Sequence, residues 1–228
     1  MTKASGRAFP RYDRTNAAPA MRDAARQIVS NDGVPNLFRR LAEELPITRS
    51  APLHHFGAIS GLLGAIAEQV FEELAADLRE VRTAAPAGEE ALIGMARHLA
   101  AFALANEKLY QAIHSPELWQ MLSTPRAAAD GDATARTKSK GRDRALDWVL
   151  RAERARDEAF GEFAEAATHR NSARSSDEAD ETWMTARMVT ALVDGYLFQR
   201  LNENVLDGES AEDATDLVGD LVALALRS

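Results

Sequence analysis

Apolar residues recur at three- and four-residue spacing along most of the chain, and glycine and proline are sparse between these stretches. This spacing predicts amphipathic α-helices, because an α-helix has about 3.6 residues per turn. The predicted elements are three short helices between residues 20 and 56, a long helix over 60–82, helices over 89–106, 109–122 and 143–168, and two C-terminal helices over 182–201 and 211–226. The pattern therefore predicts an all-α fold of about nine helices.

Turn-forming residues separate the three short helices near the N-terminus. Gly33 supplies the left-handed conformation that ends the first helix, and Asn36 is expected to cap the second. Pro46 ends the second helix, and Thr48 is expected to cap the third. Two short helices joined by a tight turn place the second where it can enter a DNA major groove. The candidate DNA contacts are the basic and hydroxyl side chains of this segment: Arg39, Arg40, Thr48, Arg49, Ser50, His54 and His55.

Three stretches lack the apolar period of the helices. Residues 1–16 are predicted to form a mobile basic arm, and residues 123–142 hold no large apolar residue and are predicted to form a mobile loop. A polar joint spans residues 170–180. The predicted domains are the arm, a helix–turn–helix domain over 17–59, and a helical effector-binding and dimerisation domain over 60–228.

The last two predicted helices carry more apolar residues than one helical face can hold. Burial of both helices at the centre of the monomer explains this pattern, as does an interface with a second copy related by twofold symmetry. We favour the homodimer. The predicted interface residues are Leu192, Tyr196, Leu217, Leu221 and Val222.

The middle helices combine aromatic and methionine side chains with a few polar groups, a mixture typical of concave sites for small apolar molecules. The same residues at helical spacing are also typical of an ordinary core, and both interpretations stand at this point. The candidate ligand residues are Met95, His98, Phe102, Tyr110, His114, Trp119, Trp148, Met184 and Met188.

Composition excludes several function classes. The 228 residues are 46% hydrophobic and include no cysteine, which excludes a disulfide scaffold and a thiolate nucleophile. No serine elbow or phosphate-binding glycine loop is present, so we expect no enzyme and no cofactor. His54 and His55 have no histidine or carboxylate four residues later, so no metal site is predicted. No apolar run is long enough for a membrane span, and a cytoplasmic protein is expected.

The net charge of -8 is unevenly distributed. Residues 1–60 hold nine Lys and Arg against five Asp and Glu, whereas the remainder holds eighteen against thirty. A small basic module joined to an acidic body is compatible with nucleic-acid binding at the N-terminal end.

The segment around these residues resembles the DNA-binding domain of the TetR family of transcriptional regulators. The likeness covers about fifty residues: Gly33 ends the first helix, LFRRLAEELPITRSAPLHHF matches the helix–turn–helix, and GLLGAIAEQVFEEL matches the start of the connecting helix. The resemblance implies a homodimeric repressor that binds a double-stranded DNA operator and leaves it when its helical body takes up a small, apolar effector.

Two positions depart from the family pattern. Leu53 stands where the family usually has a tyrosine, and Ile59 stands where it usually has a lysine. Both family residues commonly contact phosphate. The alternative function is therefore a helical ligand-binding or protein-interaction dimer with weakened or lost DNA binding.

Overall fold

The computed structural model describes residues 17–86, 88–123, 133–171, 178–202 and 210–227. All regular structure in these ranges is α-helical, which confirms the predicted all-α class. The ten helices of the described residues are α1 Ala17–Asp32, α2 Leu37–Glu44, α3 Ala51–Phe56, α4 Ile59–Ala84, α5 Glu89–Ala105, α6 Glu107–Ile113, α7 Pro116–Ser123, α8 Ala133–Asn171, α9 Glu178–Asn202 and α10 Ala211–Arg227. The stretch over 109–122, which Pro116 interrupts in the sequence, is divided before that proline, because proline fits the first turn of a helix but not its interior.

Between the short helices, the turn at Gly33 has the predicted conformation, whereas the predicted caps at Asn36 and Thr48 differ from the expectation. Gly33 has a φ of 79° and its N–H donates to the Val29 carbonyl at 2.9 Å, as expected for a left-handed helix end. Asn36 occupies the N-cap position of α2, as predicted, but it has a positive φ of 60° and its side chain makes no cap hydrogen bond. Ser50, not Thr48, precedes α3; the Thr48 carbonyl instead accepts the Ala51 N–H at 3.0 Å.

The predicted loop over 123–142 is wrong for its second part, since α8 already begins at Ala133. The prediction failed because it required large apolar residues for packing. This part of α8 instead approaches the rest of the protein through glycine: Gly141 lies against the backbone of Gly57. Residues 124–132, the basic arm over 1–16 and residues 172–177 of the polar joint lie outside the described residues.

Contacts divide the chain into two compact units. Among the described residues, the first unit comprises those up to Ile66 and those between Ala112 and Arg151, and the second comprises those between Ala67 and Gln111 and those from Ala152 onward. Both α4 and α8 contribute residues to each unit. The predicted boundary between residues 59 and 60 stays a prediction.

In the first unit, α4 and α8 lie side by side at very short range. A Cβ atom placed on Gly61 would lie 2.8 Å from the Ala145 Cα, and one placed on Gly64 would lie 2.9 Å from the Trp148 carbonyl carbon. The backbones therefore approach as closely as the absence of side chains allows. Residue numbers increase together along both helices, so the two run parallel in this unit.

In the second unit, α5 packs against α9 and α10, and the second half of α4 packs against the second half of α8. The rings of Phe71 and Phe160 lie 6.3 Å apart between their centroids. Further along the same two helices, Arg82 and Arg79 pair with the buried carboxylate of Glu162 at 2.9 and 2.8 Å. Apolar and ionic contacts thus hold this part of α4 to α8.

Candidate nucleic-acid interface

Helices α1 and α2 form the support on which α3 is mounted. Leu37, Leu41 and Leu45 are buried, and they fix the inner face of α2. Arg40 pairs with Asp32 at the end of α1 at 2.6 Å. On α3 itself, Pro52 and Phe56 are buried, so this side of the helix faces the interior. The remaining positions of α3 and of its preceding turn are consequently turned outward.

The outward positions are mainly polar. Thr48, Arg49, Ser50 and His54 are exposed, and the hydroxyl oxygens of Thr48 and Ser50 lie 3.2 Å apart. The Arg49 guanidinium has no ion-pair partner among the described residues. A free guanidinium beside two hydroxyl groups is suited to hydrogen bonding with phosphate oxygens or base edges.

The other three predicted DNA contacts are ion-paired or half-buried within the protein. Arg39 pairs with Glu43 at 2.7 Å, and Arg40 pairs with Asp32. Both arginines therefore have their charge partly compensated. His55 is half-buried, and its ring lies 6.4 Å from the ring of Phe56. The structure thus separates an exposed group around Arg49 from two ion-paired arginines and a half-buried histidine.

The C-terminal end of α3 is held by two residues of α8: Arg144, which the sequence did not single out, and Trp148, which it singled out only as a candidate ligand residue. The Arg144 guanidinium donates to the His54 carbonyl, and the Trp148 indole N–H donates to the His55 carbonyl at 3.4 Å. Carbonyl groups at the end of a helix have no partner inside that helix, so α8 satisfies part of this need. The available signal was the absence of proline after Pro125, which permits one long helix.

An apolar cleft of about 720 Å³ adjoins α3 on the side of α2 and α4. Its lining includes Phe38, Leu53, Ile59 and Leu63. Leu53 and Ile59 are 46% and 42% exposed. The two positions that depart from the family pattern thus line one apolar surface, where tyrosine and lysine would be polar.

A second cleft, of about 610 Å³, lies between α3 and the beginning of α8. Ser50 and His54 line it from one side, and Lys140, Arg142 and Arg144 line it from the other. Among the described residues, no acidic side chain belongs to the lining. This basic cleft borders the exposed group around Arg49.

The predicted ligand residues are distributed over both units. His114, Trp119 and Trp148 belong to the first unit, and the other six belong to the second. Met95 is fully buried in the second unit. Met184 is 69% exposed and Met188 is 37% exposed, so both lie on the outer surface of α9 and not in an internal pocket. Neither of the two clefts beside α3 is lined by any of the nine.

Tyr110, His98 and Trp119 of this predicted set already have partners within their own units. The Tyr110 hydroxyl donates to the Asp194 carboxylate at 2.9 Å, and His98 lies 3.6 Å from Asp77. Burial, followed by the neighbouring Asp194 charge, raises the pKa of Tyr110 well above its usual value of 10.0. The Trp119 indole N–H donates to the Ile113 carbonyl at 2.9 Å. The distances support local structural roles for these groups.

Of the predicted interface residues, Val222 is completely buried within the protomer, so it offers no surface to a second copy. Leu192, Tyr196 and Leu221 are half-buried, and Leu217 is 38% exposed. The strongly exposed apolar residues of the same helices are others: Trp183, Met184, Phe198 and Leu224.

One stripe of exposed apolar and small residues runs along α9. Met184, Met188, Ala191, Gly195 and Phe198 are all exposed and recur at three- or four-residue spacing. A Cβ placed on Gly195 would meet nothing within 4 Å, so the centre of the stripe is flat and open. Leu217 and Leu224 form a shorter exposed apolar row on α10.

The described ranges show neither a metal site nor a membrane span. They contain no group of three or more His, Asp or Glu side chains arranged to hold a metal ion. They also contain no helix with the length and apolar character needed to cross a membrane. Comparisons of the chain with protein-family models, with curated proteins and with solved structures give no match.

Proposed function

We propose that the protein is a DNA-binding transcriptional regulator of the TetR type, in which α3 and its preceding turn enter the major groove. The observation that carries this proposal is the exposed group of Thr48, Arg49, Ser50 and His54 on a helix whose opposite side is buried. Recognition requires side chains that are free to bind and a backbone that does not move. The outward polar side chains of α3 support the first requirement, and its buried opposite side and the bonds donated by Arg144 and Trp148 support the second.

The proposal gives these residues different roles. Arg49 is the candidate for reading a base, since an unpaired guanidinium can bind guanine O6 and N7 together. Thr48 and Ser50 donate to phosphate, which fixes the position of the helix without reading sequence. Arg39 and Arg40 stabilise α2 through their internal ion pairs, so we no longer propose them as principal DNA contacts.

A homodimer completes the proposal. The exposed apolar stripe of α9 and the apolar row of α10 are suited to an antiparallel helix contact with a second copy, because Gly195 allows close approach. Two copies would present two α3 helices to half-sites separated by about 34–36 Å or a multiple of it. Release by a small apolar effector stays a prediction from the family resemblance.

The test begins with selection of duplexes from a random-sequence pool, because the operator is unknown. Binding of the selected duplex and of a random duplex is then measured by fluorescence anisotropy for the wild type, Arg49→Ala and the exposed control Arg154→Ala. Arg49→Ala is expected to cost about 1–3 kcal/mol on the selected duplex and little on the random one. No enrichment of any duplex by the wild type would reject the proposal.

The alternative is a helical interaction or ligand-binding dimer with weakened DNA binding. It is favoured by the apolar cleft that includes Leu53 and Ile59, because two exposed apolar residues at these positions suit a protein or an apolar molecule better than phosphate. Failure of the wild type to bind any duplex with salt-dependent affinity would favour this alternative.

A further inference from the structure

We infer that the beginning of α8 forms a second DNA-contacting element, with Lys140 and Arg142 bound to the phosphate backbone beside the α3 site. The inference rests on the proposed DNA-binding function and concerns a part of the chain outside the helix–turn–helix. It is carried by the course of α8, by the charge of the basic cleft and by the apolar residues at two neighbouring positions.

The beginning of α8 runs alongside the beginning of α4. Gly57 lies against Gly141, and Gly61 lies against Ala145, so the two helices run parallel within this unit. Helix α8 begins eight residues before Gly141, at Ala133. At about 1.5 Å per residue, its first two turns extend about 12 Å beyond the junction of α3 and α4. The start of α8 thus extends beyond the start of α4, along the cleft that it lines together with α3.

The basic cleft carries positively charged side chains. Lys140, Arg142 and Arg144 line the basic cleft opposite Ser50 and His54, and the described part of the lining holds no acidic side chain. Arg144 holds the His54 carbonyl, so its position relative to α3 is fixed. Lys140 is exposed, and Arg142 is half-buried on the same side of the cleft. A concave surface with this charge attracts a polyanion that passes along α3.

The exposed side chains of α3 and α4 next to the basic cleft include two apolar ones. Leu53 and Ile59 cannot donate a hydrogen bond from their side chains, although both are exposed beside α3. Phosphates that pass these positions receive no side-chain donor from them. Lys140 and Arg142, which are contributed by another helix, supply cations within the same unit. We therefore assign them the role of positioning the DNA backbone.

The experiment compares Lys140→Ala/Arg142→Ala with a control that removes the same charge from exposed positions outside the cleft, Lys108→Ala/Arg154→Ala. Affinity for the selected duplex and for a random duplex is measured between 50 and 200 mM salt. If each residue contacts one phosphate, the slope of log affinity against log salt falls by about 1.8 in the cleft variant, at about 0.9 per contact, and affinity falls by a similar factor on both duplexes. The control retains the wild-type slope.

A charge-conserving variant, Lys140→Arg/Arg142→Lys, separates charge from structure, since it is expected to retain the slope. Circular dichroism and thermal melting check that every variant is folded. A wild-type slope in the cleft variant, or equal losses in the cleft and control variants, would overturn the inference while leaving the proposed function intact. A wild type that binds no duplex would overturn both.

Discussion

Arg82 donates from Nε to the Oε2 atom of Glu162 at 2.9 Å, and Glu162 is the one charged side chain among the described residues that is buried, at 4% exposure. The same arginine also pairs with Glu165 at 2.7 Å. Since a carboxylate removed from water needs a compensating charge, the sequence of α8 at Glu162 is tied to that of α4 at Arg82.

Replacement of Arg82 by alanine should destabilise the protein. Loss of one partner of a buried pair costs about 3–5 kcal/mol, and we expect a value near the lower end because Arg79 still lies 2.8 Å from Glu162. Arg39→Ala breaks the exposed pair with Glu43 and should cost only about 0.3–0.5 kcal/mol. Urea denaturation measures both values. Equal losses for the two variants would contradict the distinction between the buried and the exposed pair.

Alkaline pH should destabilise the protein through Tyr110. Its pKa is raised in the folded state, chiefly by burial and then by Asp194. Between the unfolded value near 10.0 and the higher folded value, the unfolded chain loses the proton first. The stabilisation is therefore complete below about pH 10 and is lost as the pH rises through the folded pKa.

The free energy of unfolding measured from pH 8.5 to 11.5 tests this prediction. Wild type and Tyr196→Phe should lose stability more steeply above pH 10 than Tyr110→Phe, because only Tyr110→Phe lacks this titration. Parallel curves for all three proteins would remove the assignment to Tyr110.

Replacement of Gly64 in α4 and of Gly161 in α8 by alanine should change the stability of the protein in opposite directions. Gly64→Ala places a Cβ 2.9 Å from the Trp148 carbonyl carbon, and the shift of the helices should cost about 1–3 kcal/mol. Gly161→Ala meets nothing within 4 Å and should stabilise α8 by about 0.5–1 kcal/mol. Thermal and urea unfolding distinguish the two signs. A stabilising Gly64→Ala would mean that the α4–α8 contact is looser than described.

A charge on the exposed apolar residues of α9 or α10 should dissociate the proposed dimer. Met184→Asp and Leu224→Asp alter side chains that are both 69% exposed in the protomer, so folding should persist while association is lost. Gln27→Asp adds the same charge at an exposed position of α1 and should leave the dimer intact. Sedimentation velocity at micromolar concentration gives the result. A wild type that sediments as a 24.8 kDa monomer would exclude this interface.

If the protein binds DNA as proposed, the residues that the TetR family usually has at positions 53 and 59 should strengthen this binding. Leu53→Tyr and Ile59→Lys place a hydroxyl and an ammonium on exposed positions beside α3, where they can reach phosphate. The double variant should raise the salt slope by about 0.9 for the added lysine contact, on selected and random duplexes alike. Leu53→Phe/Ile59→Met adds no polar group and serves as the control. An unchanged slope would place these positions away from the DNA backbone.

The sequence by itself determined the helical class, because the three- and four-residue apolar period acts locally and needs no knowledge of partners. It also determined the end of α1 at Gly33, where a positive φ excludes most other residues. The inward turn of Phe56 and the outward position of Arg49 in the predicted helix–turn–helix belong to the same local pattern of apolar and polar residues.

Only the tertiary structure decided what residues 133–144 do. Their polar composition gives no local reason for packing, yet Gly141 meets the Gly57 backbone and Arg144 caps α3 over a separation of 90 residues. Likewise, Met184 and Val222 are both apolar on apolar helices, but α9 and α10 turn the first outward and the second into the core. Composition cannot distinguish these cases, because burial depends on which element covers a side chain and not on the side chain alone.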